Sequence, residues 1–136
     1  MLRFIRPSAS MNTILLVDDN PLRASMRKSL LEGATPSVVR ALDAAEALCM
    51  VETPEFAKSL ALVITGNVMS GISGPEFVAE FRRRMPLVPV LVLGLAEHFE
   101  DEYEKIEGVY FSQTKSTDEL RALATRLVNL DEKQTA

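Results

Sequence analysis

Short apolar runs alternate with amphipathic segments along most of the chain. Each run is long enough for one buried strand, and a segment with helical spacing follows it. The apolar runs are TILLV (13–17), SVVRA (37–41), LALVIT (60–65), VPVLVL (88–93) and GVYFS (108–112). The helical segments start near residues 20, 43, 74, 96 and 116. This alternation predicts an α/β domain in which helices cover both faces of a doubly wound, five-stranded parallel sheet.

Residues at the starts of the helical segments support these boundaries. Asn20 fits the cap of the first helix with Pro21 at its first position, and Asp43 fits the cap of the second. Ser116 has the capping-box spacing to Glu119. The pattern also predicts apolar helix faces, formed in the first helix by Leu22, Met26 and Leu30 and in the third by Phe77, Phe81 and Met85.

Length and charge narrow the class of protein. The 136 residues suit one domain, which we place at 13–130 between a disordered leader (1–12) and a disordered tail (131–136). Whether translation starts at Met1 or Met11 stays open. The net charge of -4 disfavours nucleic-acid binding, because phosphate contacts need clustered Lys and Arg. One cysteine and no long apolar stretch predict a cytoplasmic protein without a membrane span.

Two adjacent acids follow the first predicted strand. Ligands gather beyond the carboxyl ends of strands in a parallel sheet, and Asp18 and Asp19 lie at such an end. Paired carboxylates suggest a Mg²⁺ site, because this cation prefers oxygen ligands. The alternative is that the pair serves helix capping and loop hydrogen bonds. The sequence leaves both interpretations open.

Five segments together carry a family resemblance. They are ILLVDDNPLRASMRKSLLE, VVRALDAAEAL, LALVITGNVMSGISGPEF, VPVLVLGLAEH and GVYFSQTKSTDEL. In order and spacing the chain resembles a bacterial response-regulator receiver domain of the CheY-like kind. The resemblance implies a flavodoxin-like (βα)5 fold with strand order 2-1-3-4-5. It also implies a signalling module of the two-component, phosphorelay class, not an enzyme.

The resemblance further implies a phosphoryl switch. In that family an aspartate after the third strand accepts a phosphoryl group from a histidine kinase. That aspartate and the acidic pair hold Mg²⁺, while a Thr or Ser after the fourth strand and a Lys after the fifth contact the phosphoryl oxygens. Such a metal and cation clamp stabilises the charge that develops during transfer.

The positions that would carry this chemistry hold other residues here. Matching the segments places Gly66 at the phosphoacceptor, Gly94 at the switch hydroxyl and Gln113 at the lysine. The acidic pair is retained, so weak Mg²⁺ binding at Asp18 and Asp19 is the one cofactor expectation. We therefore expect a degenerate, stand-alone receiver (a pseudo-receiver) that acts by protein–protein interaction without aspartyl phosphorylation.

Two other functions remain open at this point. A receiver phosphorylated at a non-standard residue would use Asp19 as the acceptor, or Lys115 in place of the missing lysine. A small cofactor-binding protein on a flavodoxin-like fold would need a phosphate-binding loop or a catalytic histidine, and neither pattern is found. A DNA-binding regulator is disfavoured by the acidic charge.

The resemblance also indicates a partner surface. Family members signal through the face of the fourth helix, fifth strand and fifth helix, so we expect a protein partner there, such as a histidine kinase, or a second copy of the chain. The acidic fourth segment favours a basic partner.

Tyr110 matches the aromatic switch, and we expect it to rest inward where Gly94 leaves space; the alternative is a half-buried strand aromatic. The same segment has an apolar stripe predicted to be core, formed by Leu95, Phe99, Tyr103 and Ile106.

Overall fold

Five parallel strands form the centre of the computed structural model, which describes residues 12–35, 37–67, 71–94, 97–113 and 117–130. The strands are β1 (Thr13–Val17), β2 (Ser37–Ala41), β3 (Leu60–Gly66), β4 (Val90–Leu93) and β5 (Val109–Ser112). Their order across the sheet is β2-β1-β3-β4-β5, and every neighbouring pair is parallel. The strand boundaries agree with the predicted runs to within two residues, the largest difference being the later start of β4, and the predicted fold class and strand order are confirmed.

Helices connect the strands and cover both faces of the sheet. They are α1 (Pro21–Leu31), α2 (Ala44–Met50), α3 (Pro54–Ser59), α4 (Gly74–Arg84) and α5 (Thr117–Val128). Asn20 caps α1 by accepting from the backbone N–H of Arg23 at 2.9 Å, with Pro21 in the first turn. Asp43 caps α2 in the same way. Ser116, the predicted cap of α5, lies outside the described residues.

Two helix predictions need correction. The segment after β2 forms two helices instead of one, because Pro54 begins a separate turn. The α-helix predicted from residue 96 is wrong: a five-residue 3-10 helix, Phe99–Tyr103, replaces it. Acidic side chains four residues apart repel one another on a longer helix, and His98 before this turn has a left-handed backbone with φ 60°.

The core has one layer on each face of the sheet. The first layer packs against α2, α4 and the 3-10 helix and includes fully buried Phe77 and Phe81, as predicted. The second packs against α1 and α5 and includes Leu31 and Leu120. Because both faces are covered, the strands are apolar at successive positions, which is why their runs were recognisable.

The buried face of α1 differs from the predicted one. Of the predicted face, Leu22 is 74% exposed and Met26 is 65% exposed, whereas Leu30 is partly buried against the second core layer. Ala24 and Leu31 are buried instead, and Arg27 lies on the same side as a largely buried cation. The small Ala24 lets the helix approach the sheet, and Arg27 is retained there by a charged partner described below. A hydrophobic pattern that treats Arg27 as a surface residue therefore predicts the wrong buried face for α1.

Arg82 fixes the entry to β5. Its guanidinium donates to the backbone carbonyls of Met85, Val88, Glu107 and Gly108 at 2.7–3.1 Å. Those carbonyls belong to the end of α4 and to the turns before β4 and β5. This one side chain therefore sets where both strands begin. Across the described ranges, no helix is both long enough and apolar enough to span a bilayer.

Candidate functional site

The carboxyl ends of the strands bring the predicted site positions to one edge of the sheet. Val17 pairs with Thr65, and Gly66 pairs with Leu93. Gly94 continues this edge by donating its N–H to the carbonyl of Ser112 at 3.1 Å. Gly66 is thus the last residue of β3, and Asp18, Gly94 and Gln113 directly follow β1, β4 and β5, as the segment order predicted.

Asp18 is the most heavily contacted side chain at this edge. Its carboxylate is fully buried and faces two guanidinium groups from α1. Arg23 donates from Nε to both oxygens at 3.0 and 3.1 Å and from Nη2 to Oδ1 at 2.7 Å. Arg27 donates from Nη1 to Oδ2 at 3.1 Å, and the N–H of Asn20 donates to Oδ1 at 3.0 Å. The carboxylate charge is balanced within the chain itself.

The surroundings of Asp18 keep it ionised. Burial alone would raise the pKa of this carboxyl group. Hydrogen bonds from Arg23 and Asn20, together with the charges of Arg23 and Arg27, outweigh burial and hold the pKa of Asp18 below its ordinary value. The hydrogen bond to Asp18 correspondingly raises the pKa of Arg23. The two groups therefore form a permanent ion pair at neutral pH.

Asp19 has a different environment from its neighbour. Its side chain is 46% exposed, and its Oδ1 lies 3.4 Å from Nη2 of Arg23. The acidic pair is therefore divided into one buried and one half-exposed carboxylate. Within the described residues no group of three or more His, Cys, Asp or Glu side chains is placed to hold a metal ion. The occupied carboxylate of Asp18 does not fit Mg²⁺, which needs oxygen ligands free to turn toward it.

Aromatic rings fill the space beside Gly94. A Cβ atom at this position would lie 2.7 Å from Cδ1 and Cε1 of Phe99, closer than any side chain is tolerated. Phe99 packs edge-on against Phe111, with ring centroids 5.6 Å apart, and Tyr103 packs against the same ring at 5.4 Å. Phe99 and Tyr103 are buried, as predicted for the apolar stripe; Leu95 lies outside the described residues. We call Phe99, Tyr103 and Phe111 the aromatic cluster.

The aromatic cluster is hydrogen-bonded to the segment that follows Gly66. The hydroxyl of Tyr103 donates to Oδ1 of Asn67 at 2.6 Å. The carbonyl of Asn67 accepts from the N–H of Gly74 at 3.1 Å. A side chain at Gly74 would collide with the Tyr103 hydroxyl, so this approach requires glycine. Burial and the charge of Glu102 raise the pKa of Tyr103, which keeps its hydroxyl protonated as a donor.

Tyr110 does not rest inward, and that prediction is wrong. The side chain is 37% exposed. Phe111, the next residue along β5, faces the aromatic cluster, so strand alternation turns Tyr110 to the other side. Phe99 already occupies the space beside Gly94 that Tyr110 was expected to fill. The alternative of a partly buried strand aromatic describes its position.

The sequence did not single out the residues that complete the site. Arg23 and Arg27 are one turn apart in α1, and only their position relative to Asp18 gives them a role. Phe99 and Tyr103 were assigned to the core without a link to the site. A glycine at a switch position, followed five residues later by an aromatic residue, was the available signal.

An open cavity of about 610 Å³ adjoins the aromatic cluster. It is lined by residues 97–100, around the start of the 3-10 helix, and by Phe111, Ser112 and Gln113 at the end of β5. Among the described residues, the Ser112 hydroxyl is the buried side-chain polar atom without a hydrogen-bond partner. Strand alternation turns this hydroxyl away from Phe111, toward the α5 side. The acidic rim of the cavity consists of Glu97 and Glu100.

The fold and the strand-end site define a receiver-type signalling domain. Residues 14–109 match the response regulator receiver domain, so the chain belongs to that family. Receiver domains of two-component systems are signalling modules that interact with other signalling proteins, and they are not enzymes. The predictions of family, fold and non-enzymatic class are confirmed. A comparison with curated proteins gave no match.

Solved structures share the same fold at low sequence identity. A receiver domain protein from Clostridium thermocellum has a TM-score of 0.78 and 20% identity, covering 91% of this chain and 99% of that chain. The chemotaxis protein CheY4 of Vibrio cholerae has a TM-score of 0.73 and 22% identity, covering 86% and 98%. The phosphorylated cyanobacterial phytochrome response regulator RcpA has a TM-score of 0.68 and 20% identity, covering 88% and 92%.

Proposed function

We propose that this receiver domain signals by binding a partner protein and does not use aspartyl phosphorylation. The observation that carries the proposal is the occupied space beside Gly94. Phosphoryl transfer needs an acceptor oxygen and preorganised donors around the developing charge. Gly66 supplies no acceptor, and a Cβ at position 94, which any hydroxyl side chain needs, would lie 2.7 Å from the Phe99 ring. The site therefore has no acceptor oxygen at position 66, and the Phe99 ring fills the space beside position 94.

Several contacts other than the one with Gly94 hold Phe99 in this position. Phe99 packs on Phe111, and Tyr103 packs on Phe111 while donating to Asn67. Moving the Phe99 ring out of the site would break aromatic packing worth about 0.5–1.5 kcal/mol per pair beyond the area buried. The aromatic cluster thus favours a single arrangement of the site. A domain with one arrangement presents one constant surface to a partner.

The remaining carboxylates at this edge are poor acceptors. Asp18 is fully buried with both oxygens hydrogen-bonded. Asp19 is half exposed, and Arg23, which lies 3.4 Å from it, is also paired with Asp18. Lys115, considered as a replacement for the missing lysine, lies outside the described residues. Asp19 is therefore the residue to test as a non-standard acceptor.

Intact-mass measurement after incubation with acetyl phosphate and Mg²⁺ tests the proposal directly. We expect no gain of a phosphoryl group in the wild-type chain. A phosphorylation-competent receiver domain treated in parallel serves as the positive control, and Asp19→Asn controls for the non-standard acceptor. A wild-type gain of one phosphoryl mass that Asp19→Asn abolishes would replace the proposal with a non-standard receiver.

The proposed partner surface consists of the 3-10 segment (97–107) and β5, with α5 beside them. Its acidic side chains are exposed, and they are Glu97, Glu100, Asp101, Glu102, Glu104 and Glu107. A partner with a basic surface, such as a histidine kinase or another signalling protein of the cytoplasm, complements this charge. A homodimer through the same face would bring like charges together, so we favour a different protein as the partner.

Charge reversal tests whether a partner binds this acidic surface specifically or responds only to the net charge of the protein. We expect Glu100→Lys with Asp101→Lys to abolish capture of the partner from an extract of the source cells. Glu32→Lys with Glu55→Lys makes the same change in net charge away from this surface and is expected to retain capture. Equal capture by both double variants would argue against the acidic surface as the binding site.

A further inference from the structure

The chain supplies its own cation at the position where its family holds a metal ion. We infer that the guanidinium groups of Arg23 and Arg27 replace the divalent cation at the carboxyl end of β1 and exclude Mg²⁺ from it. This inference goes beyond the proposed function, because a receiver without phosphorylation could still bind Mg²⁺. It rests on the contacts of one fully buried carboxylate.

Asp18 has no oxygen left for a metal ion. A carboxylate offers about four lone-pair sites, and the donors of this chain make five contacts with it. Oδ1 accepts from Asn20 and twice from Arg23, while Oδ2 accepts from Arg23 and Arg27. Mg²⁺ requires ligand distances of about 2.0–2.1 Å in near-octahedral geometry. A Mg²⁺ ion would have to displace these donors before it could bind.

A third arginine adds to the positive charge around Asp18. Arg40, from β2, donates from Nε to the backbone carbonyl of Asp18 at 2.9 Å. Three guanidinium groups, from Arg23, Arg27 and Arg40, therefore contact this short segment, which carries the carboxylates of Asp18 and Asp19. Arginine stays charged at all working pH values. The local charge balance repels a further cation instead of attracting one.

The helix α1 holds Arg23 and Arg27 in fixed positions beside Asp18. Arg23 and Arg27 lie one turn apart on α1, whose start is fixed by the Asn20 cap and Pro21. Position 23 is in the first turn, directly after the acidic pair, so its guanidinium reaches Asp18 and Asp19 together. Restoring a third carboxylate at Gly66 would leave these cations in place. Arg23, more than the loss of an aspartate at position 66, is the group that keeps Mg²⁺ out.

Amide NMR spectra recorded during Mg²⁺ titration, with Mn²⁺ as a paramagnetic probe, test the inference. In the wild-type chain we expect no site-specific shift at Asp18, Asp19 and Asn20 up to about 10 mM Mg²⁺ at constant ionic strength. Arg23→Ala is expected to bind with an affinity at least about tenfold higher and to show Mn²⁺ broadening at these amides. Lys28→Ala, which removes an exposed cation of the same helix, is the matched control and is expected to behave as wild type.

Two further variants keep the test decisive. Gly66→Asp alone is expected to leave Mg²⁺ binding weak, and Gly66→Asp with Arg23→Ala to bind more tightly than either single variant. If Arg23→Ala unfolds, Arg23→Gln keeps a polar helix-forming side chain and is expected to show the same gain.

Wild-type broadening at Asp18, or Mg²⁺ binding by Gly66→Asp equal to that of the double variant, would overturn the inference. Failure of every variant to bind Mg²⁺ would also overturn it, since Arg23 would then not be the excluding group. None of these outcomes depends on phosphoryl transfer, so the two proposals fail independently.

Discussion

At the scale of single residues, Asp18 shows how a buried charge is stabilised. Removing a carboxylate from water is costly, and the cost is offset only when partners satisfy its charge and its lone pairs. Arg23, Arg27 and the N–H of Asn20 meet both requirements. The buried ion pair also fixes the direction of α1 relative to β1. Its removal is therefore expected to affect stability more than the exposed charges of the same helix do.

Replacing Asp18→Asn tests the weight of this ion pair. The change leaves Arg27 largely buried without its counter-charge, while Arg23 is 50% exposed and partly solvated. We expect the free energy of unfolding to fall by about 2–4 kcal/mol, somewhat below the usual cost of breaking a fully buried pair. Urea unfolding followed by circular dichroism measures the loss. Asp19→Asn is the control, with an expected loss of about 0–1 kcal/mol; similar losses in both variants would contradict the assignment.

The lowered pKa of Asp18 gives a pH dependence with a definite sign. The folded pKa lies below the unfolded value of about 3.9, so the stabilisation is fully present above that value. It is lost as the pH falls through the lowered folded pKa. We expect wild-type stability to fall more steeply than that of Asp18→Asn below about pH 4, and the two curves to converge at lower pH. Urea unfolding at a series of acidic pH values checks this, and parallel curves would speak against it.

At the scale of elements, the 3-10 segment determines what the site edge contains. A regular α-helix was expected there, but the short turn directs both Phe99 and Tyr103 into the sheet edge. Phe99 then packs where a side chain at position 94 would stand, and Tyr103 bonds to Asn67 after β3. One irregular element thus links the ends of β3, β4 and β5. Its two aromatic residues, Phe99 and Tyr103, fill the space beside Gly94 and bond to Asn67.

The contact between Gly94 and Phe99 predicts strong coupling between these two positions. Gly94→Thr places its Cβ 2.7 Å from carbons of the Phe99 ring, and we expect a loss of about 1–3 kcal/mol in the free energy of unfolding. In a Phe99→Ala background the same threonine has room, so its cost is expected to shrink by at least about 1 kcal/mol. A double-mutant cycle from urea unfolding measures the coupling. Additive losses would show that Phe99 does not occupy the space at position 94.

At the scale of the whole molecule, the sequence determined the fold better than the site. Continuous apolar runs located all five strands because both faces of the sheet are covered. The site depended on pairings that sequence spacing does not reveal. Arg27 lies on a buried helix face only because Asp18 stands opposite it, and Phe99 fills the space beside Gly94 that Tyr110 was expected to occupy. Leu22 and Met26 were misassigned since one charged partner outweighed their hydrophobic spacing.

The two core layers predict that residues 12–130 form a complete folding unit. The described members of the two layers run from Ile14 to Leu130, and the hydroxyl of Thr35 donates to the carbonyl of Asn12 at the start of β1. A fragment of residues 12–130 is expected to unfold in one cooperative transition, within about 0.5 kcal/mol of the full chain. Circular dichroism and tyrosine fluorescence during urea unfolding test this together. Transitions that do not coincide, or a fragment that is much less stable, would assign the first 11 or last six residues to the folded core.

The arginines that face Asp18 have a consequence for how the protein responds to its surroundings. A bound ion follows the composition of the medium, since its occupancy rises and falls with the free concentration. A guanidinium carried on α1 has an effective concentration set by covalent structure, which dilution and chelators do not change. The charge balance at this strand end is therefore set by the chain itself. Changes in metal-ion concentration do not alter it, whereas a substitution or the protonation of Asp18 does.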